Sequence, residues 1–206
     1  MATKEPDPLD DVARFEADLG LRSGFFRALL QEDDWSFVIK LHALVDGAIT
    51  HLLVEELGHP EAMRPISRLS LADTRSGKLA FGAALAVLDA HDRRFVQKLS
   101  EIRNMFAHDV RMAGSTLADY ASRLDDAGLS SLVKAVGPGR DPFPIGNHMV
   151  PERQYVVENL KLTIWVTAMY TIALAYQHKK LASSKNRLFQ SVVTLPSRVK
   201  NRERGP

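Results

Sequence analysis

Residues 34–57, DWSFVIKLHALVDGAITHLLVEEL, decide the fold of this chain. Apolar side chains recur in this stretch at intervals of mostly three and four residues, which is the period of one face of an α-helix. They are Val38, Leu41, Val45, Ala48, Leu52 and Leu57. Asp33 or Asp34 is a suitable N-cap, and Gly58 followed by Pro60 is typical of a helix end. The sequence therefore predicts one long amphipathic helix here.

The same criteria predict further helices on both sides. The first covers residues 10–21 and continues toward Leu30, and the next covers residues 78–90. A further helix is capped by Asp92 and runs into residues 107–109, and another covers residues 116–127 and is closed by Gly128. The last helix is long, has Pro151 in its first turn and frays near Ser183 and Ser184. Residues 137–146 are rich in Gly and Pro and are predicted to be irregular, and no alternation of period two indicates a sheet. We expect an all-α, up-and-down bundle of about five to six helices.

The charge distribution separates a body from a tail. From Lys179 onward the chain has eight basic residues and one acidic residue, whereas the remainder has 19 basic and 24 acidic residues. We predict a disordered leader over residues 1–10, a helical bundle domain over residues 11–184 and a basic flexible tail over residues 185–206. A basic tail can bind nucleic-acid phosphates or serve as a solubilising end.

Composition excludes several classes of protein. The chain has no cysteine, so it has no disulfide framework, no thiolate zinc site and no cysteine nucleophile. The first residues lack the features of a signal peptide, and the apolar run 160–176 contains Lys161 and is shorter than a membrane span. The histidine spacing fits no metal motif, and no Gly-rich phosphate cradle is present. We expect a soluble, cytoplasmic protein that binds no membrane, no cofactor and no metal.

The most informative motif is EIRNMFAHD, residues 101–109, at the end of the helix that Asp92 opens. Its residues Arg103, Asn104, Ala107 and His108 read Arg-Asn-x-x-Ala-His, and in this the sequence resembles the HEPN superfamily of small helical bundles. The pattern over roughly residues 34–180 is similar to the mannitol operon repressor group within that superfamily.

The resemblance implies a catalytic site of Arg103, Asn104 and His108. A histidine with an ordinary pKa near 6.5 transfers protons at neutral pH, and an arginine fork suits phosphate oxygens. In active members of the family, the resemblance implies, such residues cleave RNA without a metal and two motifs meet across a homodimer. The spacing agrees with a composite site, because residues five apart diverge by about 140° on an ideal helix.

Three further residues are candidates for supporting roles. Asp46 lies on a polar stripe of α-helical spacing with His42 and Thr50. Asp46 could orient Arg103 or His108 if this stripe faces the motif, but we favour the alternative that the stripe is a solvated helix face. Arg103 has Asp46 or Glu101 as candidate ion-pair partners, and His108 can act as a helix C-cap in a non-catalytic member. Phe106 is the aromatic residue expected to contact the site. Trp35 and Trp165 are expected to anchor the core.

Two functions follow as hypotheses. The first is a HEPN-like RNA-cleaving or RNA-binding protein, a metal-independent endoribonuclease of toxin or defence type whose partners are RNA, a second copy of the chain and an antitoxin. The alternative is a non-catalytic regulator of transcription, similar to the mannitol repressor group, that acts through a protein partner. No helix-turn-helix for direct base contacts is evident.

Overall fold

A computed structural model describes residues 16–17, 19–108, 114–146 and 148–200 of the chain. The described helices are α1 (Phe25–Leu30), α2 (Asp34–Leu57), α3 (Met63–Ser67), α4 (Lys78–Ala84), α5 (Ala90–His108), α6 (Leu117–Ser122), α7 (Asp126–Val136), α8 (Glu152–Glu158) and α9 (Leu160–Lys200), with a 3-10 turn at Pro60–Ala62. The fold is an all-α bundle, as the sequence predicts. The predicted leader and most of the predicted helix 10–21 lie outside the described residues.

Helix α2 is the centre of the bundle and begins and ends as the sequence predicts. The carboxylate of Asp33 accepts the backbone N–H of Ser36 at 2.9 Å, which satisfies one of the unpaired donors of the first turn. Gly58 ends the helix in the left-handed conformation with φ 69°, which costs a glycine little. The helix packs between α5 and α9.

The core consists of the facing apolar stripes of these three helices. Its fully buried members include Phe37, Leu41, Val45, Ile49, Leu52 and Leu53 from α2, Phe95, Leu99, Ile102 and Phe106 from α5, and Ile164, Ala168 and Ile172 from α9. Burial of each large aliphatic or aromatic side chain stabilises the fold by about 1.5–3 kcal/mol. This packing fixes the position and rotation of α5, on which the motif lies.

Several predicted boundaries are wrong. Helix α4 ends at Ala84 and not at residue 90. Helix α5 is capped by Asp89, whose Oδ1 accepts the N–H groups of His91 and Asp92, and not by Asp92 itself. The predicted helix 116–127 is two helices, because Asp125 caps a new helix, α7, and Gly128 lies in its first turn.

The C-terminal half also departs from the prediction. A two-stranded antiparallel hairpin, β1 (Phe143–Ile145) and β2 (His148–Val150), lies where irregular structure and no sheet were expected. The last helix is interrupted at Asn159, so Pro151 caps the short helix α8 and α9 begins at Leu160. Helix α9 does not fray at Ser183 and Ser184 but continues to Lys200, and it therefore includes residues 185–200 of the predicted tail.

One described helix, α2, is long and apolar enough to cross a membrane by length and composition alone. Half of its most apolar 18-residue window is buried inside the bundle. A core helix of a soluble protein passes the same test, and α2 packs in this way. The apolar run 160–176, which is shorter than a membrane span, forms part of α9.

Candidate functional site

The motif occupies the last two turns of α5. The chain remains α-helical through His108, so the five-residue spacing leaves Arg103 and His108 about 140° apart around the helix axis. Asn104 and His108 are four residues apart and share one face. Asn104 and His108 are exposed and Arg103 is half-buried. Asn104 and His108 therefore share one face, and Arg103 leaves the helix axis on another, although its guanidinium reaches the side chain of Asn104.

The guanidinium of Arg103 is held by a neutral group. Its Nη1 donates a hydrogen bond to Oδ1 of the adjacent Asn104 at 3.0 Å. Within the described part of the chain Arg103 forms no ion pair. An arginine without a carboxylate partner keeps its charge and its planar fork of donors available for an anion.

The two carboxylates that were candidate partners of Arg103 are paired with lysines. Asp46 Oδ1 lies 2.6 Å from Nζ of Lys78, and Glu101 Oε2 lies 2.5 Å from Nζ of Lys98. Lys78 is fully buried and comes from α4, so its ammonium depends on Asp46 for compensation. Asp46 therefore stabilises the α2–α4 contact, and the structure shows no bond from it to Arg103 or His108.

The polar stripe on α2 is not the solvated face that we favoured from the sequence. His42 and Asp46 are half-buried and Thr50 is buried, with its hydroxyl donating to the backbone oxygen of Asp46 at 2.7 Å. The stripe faces α4 and α5, which the sequence pattern could not show because both partners come from other helices.

His42, which was not predicted to be a site residue, lies near the motif. Nε2 of His42 is 3.1 Å from Oγ of the buried Ser100, one turn before Arg103 on α5. Burial lowers the pKa of His42 below 6.5, and the positive charge of Arg103 lowers it further. His42 therefore favours the neutral imidazole. A signal was present in the sequence: Ser100 is a polar residue between the core residues Leu99 and Ile102.

The aromatic ring of Phe106 does not lie at the surface, where we expected it to contact the site. Its ring is buried in the core, whereas its carbonyl oxygen accepts a hydrogen bond from Nε1 of Trp35 at 3.1 Å. Trp35 was predicted to be a core anchor, but 43% of its surface is exposed. Trp35 and Met105, which is 37% exposed, are the large apolar side chains at the surface near the motif.

A second surface feature lies on α9. Leu162, Val166 and Tyr170 are four residues apart and are exposed by 40%, 51% and 59%, respectively. Residues at this spacing form a continuous stripe on one helix face. Exposed apolar stripes of this kind are typical of surfaces that contact another protein.

The residues that the structure describes contain no group of three or more His, Cys, Asp or Glu side chains that could hold a metal ion. Comparison of the chain with protein-family models, with curated proteins and with solved structures finds no match, so the resemblance to the HEPN superfamily rests on the residues of the motif and on the helical pattern.

Proposed function

We propose that this chain is a cytoplasmic, HEPN-like RNA-binding protein that cleaves RNA without a metal at the end of α5. The observation that supports the proposal most directly is the state of Arg103. Its only described partner is the amide of Asn104, at 3.0 Å, while the nearby carboxylates Asp46 and Glu101 are paired with lysines. A guanidinium that serves only to stabilise a bundle would be expected to pair with one of them.

The chemistry that we propose is attack of an RNA 2′-oxygen on the adjacent phosphorus. The P–O5′ bond breaks, which leaves a 2′,3′-cyclic phosphate on one fragment and a 5′-hydroxyl on the other. A base accepts the proton of the 2′-hydroxyl and an acid supplies the proton of the 5′-oxygen. We assign the proton transfers to the exposed His108 and the stabilisation of the phosphorane charge to Arg103.

Asn104 and His42 have supporting roles in this proposal. Asn104 orients the guanidinium through its Oδ1 and leaves its own amide N–H₂ group for the substrate. His42 is half-buried and bonded to Ser100, and its lowered pKa favours a neutral ring beside Arg103. A neutral ring adds no second positive charge, and we assign His42 to positioning α5 rather than to proton transfer.

The active form that we propose is a homodimer. Arg103 and His108 of one chain leave the axis of an undistorted helix about 140° apart, and the guanidinium of Arg103 is bonded to Asn104, so we propose that the two groups that act on one phosphate come from two chains. A second copy can supply the missing group, with Arg103 from one protomer and His108 from its partner. An antitoxin that covers this site would complete a toxin-type system.

The test is cleavage of a structured RNA in EDTA by the wild type, Arg103→Ala and His108→Ala. We expect His108→Ala to lose at least about 100-fold in rate, because a general acid–base group contributes about 10²- to 10⁴-fold. Arg103→Ala should lose about 10²- to 10³-fold, the usual contribution of one donor to the developing charge. Arg64→Ala is the matched control, since Arg64 is an exposed arginine on α3. Circular dichroism confirms that each variant is folded. Equal cleavage by all four proteins would contradict the proposal.

Complementation tests the dimer separately. In a heterodimer of Arg103→Ala with His108→Ala, one of the two composite sites has both an intact arginine and an intact histidine. Random mixing should therefore restore about a quarter of the wild-type rate. A site built within one protomer would give no recovery on mixing, and that result would exclude the composite arrangement.

A second candidate function is supported by the exposed stripe Leu162, Val166 and Tyr170 on α9. We propose as the alternative a non-catalytic regulator of transcription, similar to the mannitol repressor group, that binds a protein through this stripe. The two candidates differ in the cleavage assay. A folded wild type that cleaves RNA no faster than Arg103→Ala and His108→Ala favours the regulator.

A further inference from the structure

A groove of about 350 Å³ runs between α5 and α7. From α5 it is lined by Arg94, Gln97, Lys98 and Glu101. These positions have the spacing i, i+3, i+4 and i+7, which places them on one face of the helix. The same spacing continues to Asn104 and His108, so the face that lines the groove leads directly to the motif.

The wall from α7 has the same periodicity. Ala127, Ser130, Ser131 and Lys134 are at positions i, i+3, i+4 and i+7 of that helix, and all line the groove. The alanine and serine side chains are short, which leaves the space between the helices open. The two serine hydroxyls have no hydrogen-bond partner among the described residues.

The groove has an excess of positive charge. Its ionisable residues are Arg94, Lys98 and Lys134 against the single acid Glu101. Glu101 is paired with Lys98 at 2.5 Å, so the charges of Arg94 and Lys134 remain uncompensated within the described part of the chain. Both side chains are exposed. Two free cations, an amide and two hydroxyls are donors that suit phosphate oxygens.

We propose that this groove binds the phosphate groups of a single RNA strand and guides the strand along α5 to Asn104 and His108. This inference rests on the proposed function. Lys98 and His108 are ten residues apart, or about 15 Å along the helix axis, so one short strand can contact both. The described lining includes no aromatic side chain, so the groove contacts the backbone and does not stack on bases.

The experiment measures binding of a 5′-fluorescein 12-nucleotide RNA of mixed sequence to the full chain, by anisotropy, over a range of salt concentrations. Arg94→Gln with Lys134→Gln removes two cations from the groove. Arg64→Gln with Arg68→Gln removes two exposed cations from α3 and its C-terminal end, and it is the matched control. Arg94→Lys with Lys134→Arg keeps both charges and should bind as the wild type does.

We expect the groove variant to bind on the order of 20-fold more weakly at 0.1 M salt, with the slope of log K against log salt reduced by about 1.4. The control should lose less than two-fold. Equal losses in both variants, or no loss in the groove variant, would overturn the inference. Competition by poly-glutamate as strong as that by unlabelled RNA would also overturn it, since the groove would then accept acidic protein segments.

Cleavage by the wild type and by the motif variants is followed in parallel and judges the proposed function alone. Groove-dependent binding without motif-dependent cleavage overturns the catalytic proposal and leaves the groove assignment in place. If cleavage depends on Arg103 and His108 but RNA binding does not depend on Arg94 and Lys134, the groove assignment is overturned and the catalytic proposal stands. No RNA binding by the wild type at 20 mM salt overturns the groove assignment.

Discussion

The indole Nε1 of Trp35 donates a hydrogen bond to the backbone oxygen of Phe106 at 3.1 Å, which joins the first turn of α2 to the last turn of α5. The carbonyl groups in the last turn of a helix have no partner within the helix. Trp35 supplies one, and the bonded carbonyl belongs to a residue of the motif. The contact therefore holds the end of α5 in a fixed relation to the centre of the bundle.

Replacement of Trp35 by phenylalanine removes this donor and retains an aromatic ring. We expect Trp35→Phe to lower the free energy of unfolding by about 1 kcal/mol, the usual contribution of one hydrogen bond. If the proposed function holds, we also expect slower RNA cleavage with an unchanged pH profile, because His108, to which we assign the proton transfers, remains. Urea denaturation and a cleavage assay measure the two effects. Cleavage at the wild-type rate would show that the contact does not position the motif.

Trp165 is the matched control for this substitution. Its Nε1 also donates to a backbone oxygen, that of Phe26, at 3.0 Å, but this contact joins α9 to α1. Trp165→Phe should lower stability by a similar amount and leave cleavage unchanged. Equal effects of the two substitutions on cleavage would indicate that loss of stability, and not position, explains both.

The ionisation of His42 reports on the environment of Arg103. Burial and the charge of Arg103 lower the pKa of His42 below 6.5, so Arg103→Ala should raise that pKa toward its ordinary value. Titration of the imidazole signals by NMR measures the change. Arg64→Ala serves as the control and should leave the signal unaffected. A pKa of His42 that is the same in Arg103→Ala and wild type would show that Arg103 does not act on His42.

The same shift predicts how stability depends on pH. Because the pKa of His42 is lower in the folded chain, the unfolded chain binds the proton first as the pH falls. The contribution of neutral His42 to the free energy of unfolding is therefore complete above a pH of about 6.5, and it is lost as the pH falls through the lowered pKa. His51, whose pKa burial also lowers, acts in the same direction. In urea denaturation, the free energy of unfolding should fall less between pH 7.5 and pH 5.5 for His42→Gln than for the wild type.

The central helix could be predicted because the signals that define it are local. The N-cap at Asp33, the spacing of apolar residues and the stop at Gly58 all lie within one segment. The break at residues 123–125 was missed for a local reason too: Gly128 resembles a helix stop, although Asp125 three residues earlier caps a new helix. The strands of the hairpin are three residues long, which is too short for an alternating pattern to appear.

For the candidate site, too, the local features could be predicted from the sequence and the contacts between helices could not. The motif and its place at the end of an amphipathic helix follow from the sequence, and so does the divergence of Arg103 and His108. The residues that contact the motif from other helices do not follow from the sequence. Lys78 is 32 residues from Asp46, and Ser100 is 58 residues from His42. Pairs at such separations are set by how helices pack, and the sequence pattern of one helix does not specify its partner.

The pair of Asp46 with Lys78 gives a prediction about stability. Asp46→Asn leaves the buried ammonium of Lys78 without a charge partner, and we expect a loss of about 3 kcal/mol. This is the low end of the usual range, since the Asp46 side chain is 35% exposed and water can enter in its place. Urea denaturation measures the loss.

Two controls separate the burial of this pair from its charge. Lys78→Met removes the charge that needs compensation, so it should change stability by no more than about 1 kcal/mol. Lys40→Ala breaks an exposed pair with Glu32 at 2.7 Å and should also cost less than about 1 kcal/mol. A loss from Asp46→Asn no larger than that from Lys40→Ala would contradict the assignment of a buried, dependent charge.

Two helical glycines differ in the space around them and should respond in opposite directions to alanine. A Cβ at Gly47 in α2 would meet nothing within 4 Å, whereas a Cβ at Gly82 in α4 would lie 2.5 Å from Cδ1 and 2.9 Å from Cγ of Leu88. Gly47→Ala should stabilise the protein by about 0.5–1 kcal/mol, because alanine loses less backbone entropy in a helix.

Gly82→Ala has the same gain in helix propensity, but Leu88 is buried and has little room to move, so we expect a net loss of about 1–3 kcal/mol. The urea midpoints of the two variants should therefore move to opposite sides of the wild-type midpoint. Equal upward shifts would mean that Leu88 adopts another rotamer at little cost, and that α4 packs loosely against the α4–α5 connection.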